Sequence, residues 1–180
     1  MLSPLELAHR SLAEVIVPED LVVDATMGQG YDTVFLAGLK ADVVAFDVQA
    51  LALERTAERL ERAQLSAKLI RDGHENIGQY IEQPIKAAIF NLGYLPKSDK
   101  KVITQAETTL SALTQLLEML VKGGRIALMI YYGHEGGLEE RDAVLAFVSG
   151  LPQREFQVMR YGGINQANHP PFLVMIEKRL

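Results

Sequence analysis

Val22-Val23-Asp24-Ala25-Thr26-Met27-Gly28-Gln29-Gly30-Tyr31-Asp32-Thr33 is an apolar run that leads through a glycine turn into the start of a helix. Gly28 and Gly30 let the backbone take positive φ and approach a ligand closely, and a helix beginning near Tyr31 points its free N–H groups at the same place. The stretch therefore reads as the floor of a nucleotide-cofactor site. A dinucleotide site asks for G-x-G-x-x-G opening onto a pyrophosphate. Here Thr33 holds the third glycine's position and Asp24 precedes the first glycine. The expectation is an acid that repels phosphate and welcomes an amine.

Downstream, Val43-Val44-Ala45-Phe46-Asp47 is an apolar run of strand length that ends in a second acid. A carboxylate at that place can accept both hydroxyls of a ribose through charge-assisted bonds. Two acids capping strand ends around a plain turn is the competing reading. The series of strand, D-x-x-x-G-x-G, helix, strand and acid favours the site.

The rest of the chain keeps the same rhythm. Strands are expected near 22–26, 43–47, 67–71, 86–91 and 125–131, with helices near 31–38, 49–63, 75–82, 105–121 and 138–148. Such alternation implies a parallel sheet with helices on both faces. Ser3-Pro4-Leu5-Glu6 has the capping-box spacing for one further helix, with Leu5, Leu12, Val15 and Ile16 as its apolar face. This helix is expected to pack on the sheet or cover the site. Thr104 and Glu107 mark the start of the helix at 105–121, and Lys122-Gly123-Gly124 its stop. The segments 156–160 and 172–178 both read as strands, and the glycines and Pro170-Pro171 between them leave little room for a crossover helix. They should pair antiparallel. A seven-stranded, mostly parallel sheet with a reversed last strand and helices on both faces is the Rossmann-like α/β architecture of the class I methyltransferases.

Composition bounds the function. With 180 residues, 48% of them hydrophobic, the chain has room for one domain, 1–180. A dehydrogenase needs a catalytic domain beside its cofactor domain, whereas a methyltransferase can work at the rim of one sheet. The absence of Cys excludes disulfides and thiolate metal sites, and no metal is expected. A net charge of −5 weighs against nonspecific coating of nucleic acid. It leaves room for a few phosphate contacts through Lys97, Lys100 and Lys101. Met1-Leu2-Ser3-Pro4-Leu5-Glu6 lacks a basic-then-apolar leader, and no apolar run reaches the ~18 residues of a membrane span. A soluble cytoplasmic protein is expected.

Several motifs then fall in one order: Asp24-Ala25-Thr26 with Gly28-x-Gly30-x-Asp32-Thr33, Phe46-Asp47-Val48-Gln49, Asp72-Gly73-His74-Glu75, Asn91-Leu92-Gly93-Tyr94-Leu95-Pro96, Gly133-His134-Glu135-Gly136-Gly137, and Asn165-Gln166 with Asn168 and Pro170-Pro171-Phe172. In these the chain resembles, nearly end to end, a family of small bacterial class I methyltransferases labelled rRNA methylases. Its members include the transferase that methylates the aminomethyl group of 5-aminomethyl-2-thiouridine at the tRNA wobble position. Lys97-Ser98 and Tyr132 depart from the family's usual glycines and proline, and bear on two substrate loops.

The resemblance implies S-adenosylmethionine as cofactor, and ligands gather at the carboxyl ends of parallel strands. The loop of Asp24, Thr26, Gly28, Gln29, Gly30, Asp32 and Thr33 is then expected to hold the methionine part and Asp47 the ribose. Asp72 would take the adenine amine, with Gln49 and His74 on the rim. Asp72 with Glu75 also has capping-box spacing, and both readings stay open. Asn91-Leu92-Gly93-Tyr94 resembles the Asn-Pro-Pro-Tyr loop of methyltransferases acting on nitrogen, so Asn91 is expected both at the cofactor and next to the reacting amine, with Tyr94 packing on a flat base. His134 and His74 are the candidates to take the amine proton. Tyr94, Lys97, Asn165, Gln166, Asn168 and His169 are the expected substrate contacts. The expected substrate is a tRNA anticodon stem-loop. An rRNA base, a small-molecule amine, or a noncatalytic interaction module are the alternatives, and a homodimer is compatible with the resemblance.

Overall fold

The computed structural model of the protein describes residues 1–93 and 106–180. Its elements are α1 (Pro4–Ala13), β1 (Leu21–Asp24), α2 (Tyr31–Gly38), β2 (Asp42–Asp47), α3 (Ala50–Arg62), β3 (Lys68–Arg71), a 3-10 turn (His74–Gln79), β4 (Ile85–Leu92), α4 (Ala106–Met119), β5 (Leu120–Ile130), α5 (Gly137–Ser149), β6 (Phe156–Tyr161) and β7 (Phe172–Lys178). The seven strands lie in the order β3-β2-β1-β4-β5-β7-β6. β1 to β5 run parallel, and β7 pairs antiparallel with both β5 and β6. This is the expected sheet with one reversed strand.

Alternation along each strand sorts the core into two layers, because successive side chains point to opposite faces. Val22, Val43, Ala87 and Ile89 face Ala8, Leu12, Leu36 and Leu60 of α1, α2 and α3. Val23, Val44, Phe46, Ala88 and Phe90 face Ile77, Leu113, Leu116, Val144 and Val148 on the 3-10 turn, α4 and α5. The near-continuous burial of β1, β2 and β4 is what a sheet covered on both faces requires. Among the described residues no helix is long and apolar enough to cross a membrane.

Three expectations need correction or qualification. The helix at 75–82 is a 3-10 turn, and Asp72 and Glu75 form no capping box there. Its N-cap is Gly73, without a side-chain cap, and Asp72 bonds the Asn76 amide (2.8 Å) and the Tyr80 hydroxyl (2.6 Å) instead. Lys122-Gly123-Gly124 does not stop a helix but lies inside β5, which starts at Leu120. The register to β4 shifts between Ile85 and Ala87, Gly123 takes φ +73°, and a Cβ on Gly124 would lie 2.7 Å from the Lys86 carbonyl. The glycines thus serve a bulge, which the sequence signal shares with a helix stop. Finally, Tyr94, Lys97, Lys100, Lys101 and Thr104 lie outside the described residues.

Candidate active site

The turn after β1 is fixed from beneath and from the side. Met27 N–H donates to the Phe46 carbonyl and Gly30 N–H to the Met27 carbonyl, both at 2.9 Å. The Arg59 guanidinium reaches from α3 to the Gln29 carbonyl (2.9 Å) and lies 3.8 Å over the Tyr31 ring. The two glycines serve different ends. Gly28 has φ +54°, and a Cβ there would meet only the Thr26 carbonyl at 3.8 Å, so its outer side is open to a ligand. Gly30 has φ +87°, and a Cβ there would lie 2.6 Å from Thr56 Oγ1 and 2.9 Å from Thr56 Cα, so it is what lets α2 and α3 meet. No side chain caps the first turn of α2.

Three carboxylates converge below and beside this turn. Asp24 is fully buried, with Thr33 Oγ1 donating to it at 2.7 Å and Thr26 N–H at 3.1 Å. This corrects the expectation of an acid open to a ligand amine: Asp24 lies under the loop and shapes it through Thr33 and Thr26. Burial pushes its carboxyl up to about 7, and the charges of Asp32 and Asp47 push the same way against those two hydrogen bonds. Asp47, partly exposed at the end of β2, accepts the N–H groups of Gly28 (3.0 Å) and Gln49 (2.9 Å). Gln49 thus enters through its main chain and as the N-cap of α3.

Asp32 is the third, and its environment was not legible in the motif. One oxygen accepts from His9 Nε2 of α1 at 2.6 Å, and the other accepts from the Asn91 side-chain amide. Asn91 is also held by its main chain, whose N–H donates to Thr26 Oγ1 at 2.7 Å. An ionised carboxylate only accepts, so the Asn91 NH2 faces Asp32 and its carbonyl faces away. The β1 turn, α1, α2 and the end of β4 are thereby joined at one point.

Asp72 and His74 line the end of β3. The Tyr80 hydroxyl, then the Asn76 amide and the Gly73 N–H, hold the Asp72 carboxyl below its usual range. His74 is buried with Nδ1 3.0 Å from the Ala25 carbonyl and its ring edge-on to Phe90. A carbonyl only accepts, so Nδ1 carries the proton, and desolvation holds the ring below its ordinary pKa. A neutral ring locked in one tautomer results.

His134 and the β6–β7 loop form the far rim. The loop after β6 opens at the same sheet edge as the ends of β1 to β5, because β6 runs parallel to them. Asn165, Gln166, Asn168 and His169 are all exposed there. Asn168 and His169 take left-handed φ values of 65° and 54°, and His169 packs edge-on against Tyr132 at 5.3 Å. The His134 ring packs directly on Gly93, where any Cβ would collide with it, and its Nε2 is buried with no hydrogen-bond partner among the described residues. Sequence reading missed His9, Tyr80 and Arg59. Only His9 leaves a usable trace, for it lies at helical spacing between Leu5 and Leu12 on the inward face of α1.

A sheet of this order, with a glycine turn after β1 and acids ending β1 and β2, defines a class I methyltransferase. The family described as "Putative rRNA methylase" matches residues 43–177, and the chain belongs to it. It is 36% identical over 188 residues to the chloroplastic tRNA (mnm(5)s(2)U34)-methyltransferase of Arabidopsis thaliana, covering 96% of this chain and 69% of that protein. Among solved structures it is similar to a "putative rRNA-methylase" of Clostridium thermocellum, at 45% identity and a TM-score of 0.96 over 99% of this chain and 98% of the other. The structure of a "putative methyltransferase" from Streptococcus mutans in complex with SAH is 53% identical with a TM-score of 0.93, covering 99% of each chain.

Proposed function

We propose that the protein transfers a methyl group from S-adenosylmethionine to the aminomethyl nitrogen of 5-aminomethyl-2-thiouridine at the tRNA wobble position. The observation that carries this reading is the Asn91 amide, clamped through its NH2 to Asp32 so that its carbonyl is left to accept protons from an amine. The relative acting on tRNA U34 supports the substrate.

The residues fit the cofactor. The carboxyl groups of Asp32 and Asp47 beside the turn suit a ligand bearing an ammonium and a sulfonium, and suit a pyrophosphate badly. The open side of Gly28 leaves room for its amino-acid end, and Asp47 has lone pairs to spare for ribose hydroxyls. Asp72 and the neutral His74 are the proposed contacts to the adenine. When bound, the cofactor supplies a methyl group on sulfur, open to in-line displacement by a nitrogen lone pair.

The chain's task is then positioning and proton handling. Asn91 accepts one N–H of the acceptor amine and turns its lone pair toward the methyl group, and such near-attack positioning can contribute ~7 to 11 kcal/mol. An aliphatic amine must first lose a proton. His134 Nε2, buried beside Gly93 and without a hydrogen-bond partner among the described residues, is the proposed acceptor of it. The exposed Asn165, Gln166, Asn168 and His169, with Tyr94 and Lys97, are the proposed contacts to a base splayed from a single-stranded loop.

The test supplies purified protein and methyl-labelled cofactor to tRNA and ribosomal RNA from cells lacking this wobble methylation, and reads nucleosides by mass spectrometry. The label is expected on the wobble nucleoside. Label found only in ribosomal RNA or in a small metabolite overturns the substrate while leaving a methyltransferase.

A further inference from the structure

His9 lies outside every motif of the site, yet it is the residue on which the Asn91 clamp rests. Its ring stacks flat on Phe35 of α2, with centroids 4.0 Å apart and planes inclined by 7°. That stack aims Nε2 at Asp32 Oδ1, 2.6 Å away, in a pair whose side chains are 25% and 8% exposed. Asp32 uses its other oxygen to hold the Asn91 amide. A carboxylate with one oxygen anchored has a fixed plane, which fixes where the second oxygen lies. Without an anchor it rotates about its side-chain torsion, which is broad for such groups.

We propose that His9 is a positioning residue for methyl transfer: through Asp32 it holds the Asn91 amide with its carbonyl toward the acceptor nitrogen. The inference rests on the proposed N-methyl transfer. His9 touches neither reactant, and its effect passes wholly through the Asp32 carboxylate. Loss of its ring nitrogen therefore slows turnover and leaves binding of cofactor and RNA nearly unchanged, because Asp47, Asp72 and the glycine turn are untouched. Loss of the ring's flat shape is a separate matter and acts on the packing against Phe35.

Two substitutions separate these effects. His9→Phe keeps a ring for Phe35 and removes the hydrogen bond. His9→Gln restores a donor at about the reach of Nε2. We expect His9→Phe to lower kcat on tRNA lacking the wobble methylation by about tenfold, with KM for tRNA and Kd for S-adenosylhomocysteine within about threefold, and His9→Gln to recover most of the loss. Asn91→Ala should lower kcat by at least as much, and the double variant His9→Phe/Asn91→Ala should be no slower than Asn91→Ala alone, as residues acting in one chain are not additive. The Asn91 side-chain NH2 resonances, assigned by their loss in Asn91→Ala, give a reading independent of turnover. They should shift in His9→Phe and return in His9→Gln. If Asn91→Ala slows transfer while His9→Phe neither slows it nor moves those resonances, the role of His9 is overturned and the N-methyl transfer reading stands. If Asn91→Ala turns over normally, or the wild-type protein transfers nothing to tRNA, it is the reading of the reaction that fails, and unmoved resonances then overturn the His9–Asp32–Asn91 coupling as well.

Discussion

A carboxyl group sealed beneath a loop keeps its proton where an exposed one loses it, and Asp24 makes that difference measurable. Its folded pKa of about 7 lies above the ordinary 3.8. Below about pH 4 the group is protonated in both states and its contribution to stability is fully present. Between there and about 7 the folded chain holds a proton that the unfolded chain has released, so the contribution falls as pH rises and is lost beyond about 7. Asp24→Asn keeps a carbonyl oxygen for Thr26 N–H and presents its NH2 to the Thr33 hydroxyl, which can accept as well as donate, and it does not titrate. The variant should therefore gain stability relative to the wild type between about pH 5 and about pH 8 in denaturant melts. His74, whose lowered pKa gives the opposite slope, is common to both proteins and cancels in the difference. A difference flat across that range would mean that Asp24 is ionised throughout.

At the scale of elements, the two glycines of one turn answer to different neighbours. Gly30→Ala forces a left-handed residue at about 1–2 kcal/mol and drives a Cβ into the α3 backbone at Thr56, adding about 1–3 kcal/mol of overpacking. Gly28→Ala incurs only the first of these, but places a methyl group on the open side of the loop. Gly30→Ala should thus melt well below Gly28→Ala, while calorimetry with S-adenosylhomocysteine should show the greater loss of affinity in Gly28→Ala. Equal melting points for the two would remove the packing role of Gly30.

Elements were also what the sequence showed best. The apolar runs ending at Asp24 and Asp47 and the helix after Gly30 are where period and punctuation put them. A six-residue 3-10 segment is too short to carry a period of its own, and its shape is set by Gln115, which crosses from α4 to bond Gly78 N–H and the Glu75 carbonyl. The start of β5 was misjudged because two glycines mean the same to a bulge as to a helix end. In the site, residue types and spacing were legible and burial was not. Asp24 and Asp47 look alike in sequence, and only the packed sheet shows one sealed and the other open. For His9 the spacing on α1 marks an inward position, but its partner Asp32 lies 23 residues on, and the pairing is visible only in the fold.

Across the whole molecule, α1 is held at its far end by one arginine. Arg125 of β5 donates to Glu177 of β7 (2.6 Å), to the Ser11 carbonyl (2.7 Å) and to Glu14 just past α1 (2.9 Å). Hydrogen bonds to a charged group contribute about 1.5–3 kcal/mol each where they are shielded, and less where they are exposed as at Glu14. Arg125→Met should release α1 before the sheet loosens. Hydrogen exchange is expected to quicken over residues 4–13 while β4 and β5 stay protected. Unchanged exchange in α1 would show that its apolar face alone holds it.

The place of β7 has a consequence for the order in which the molecule can be made. The last strand in sequence is not an edge of the sheet but sits between β5 and β6, and pairs with both. A ribosome delivering the chain from its amino end releases β1 to β5 in an order that lets each find a neighbour, but β6 emerges with none. Until residues 172–178 leave the exit tunnel, β5 presents an unsatisfied edge and β6 dangles, and such edges invite pairing with other chains. The glycine turn and its acids can thus assemble early, whereas the β6–β7 loop gains its shape only when the final strand slides home. The newborn protein has the proposed cofactor floor before it has the loop proposed to meet the substrate.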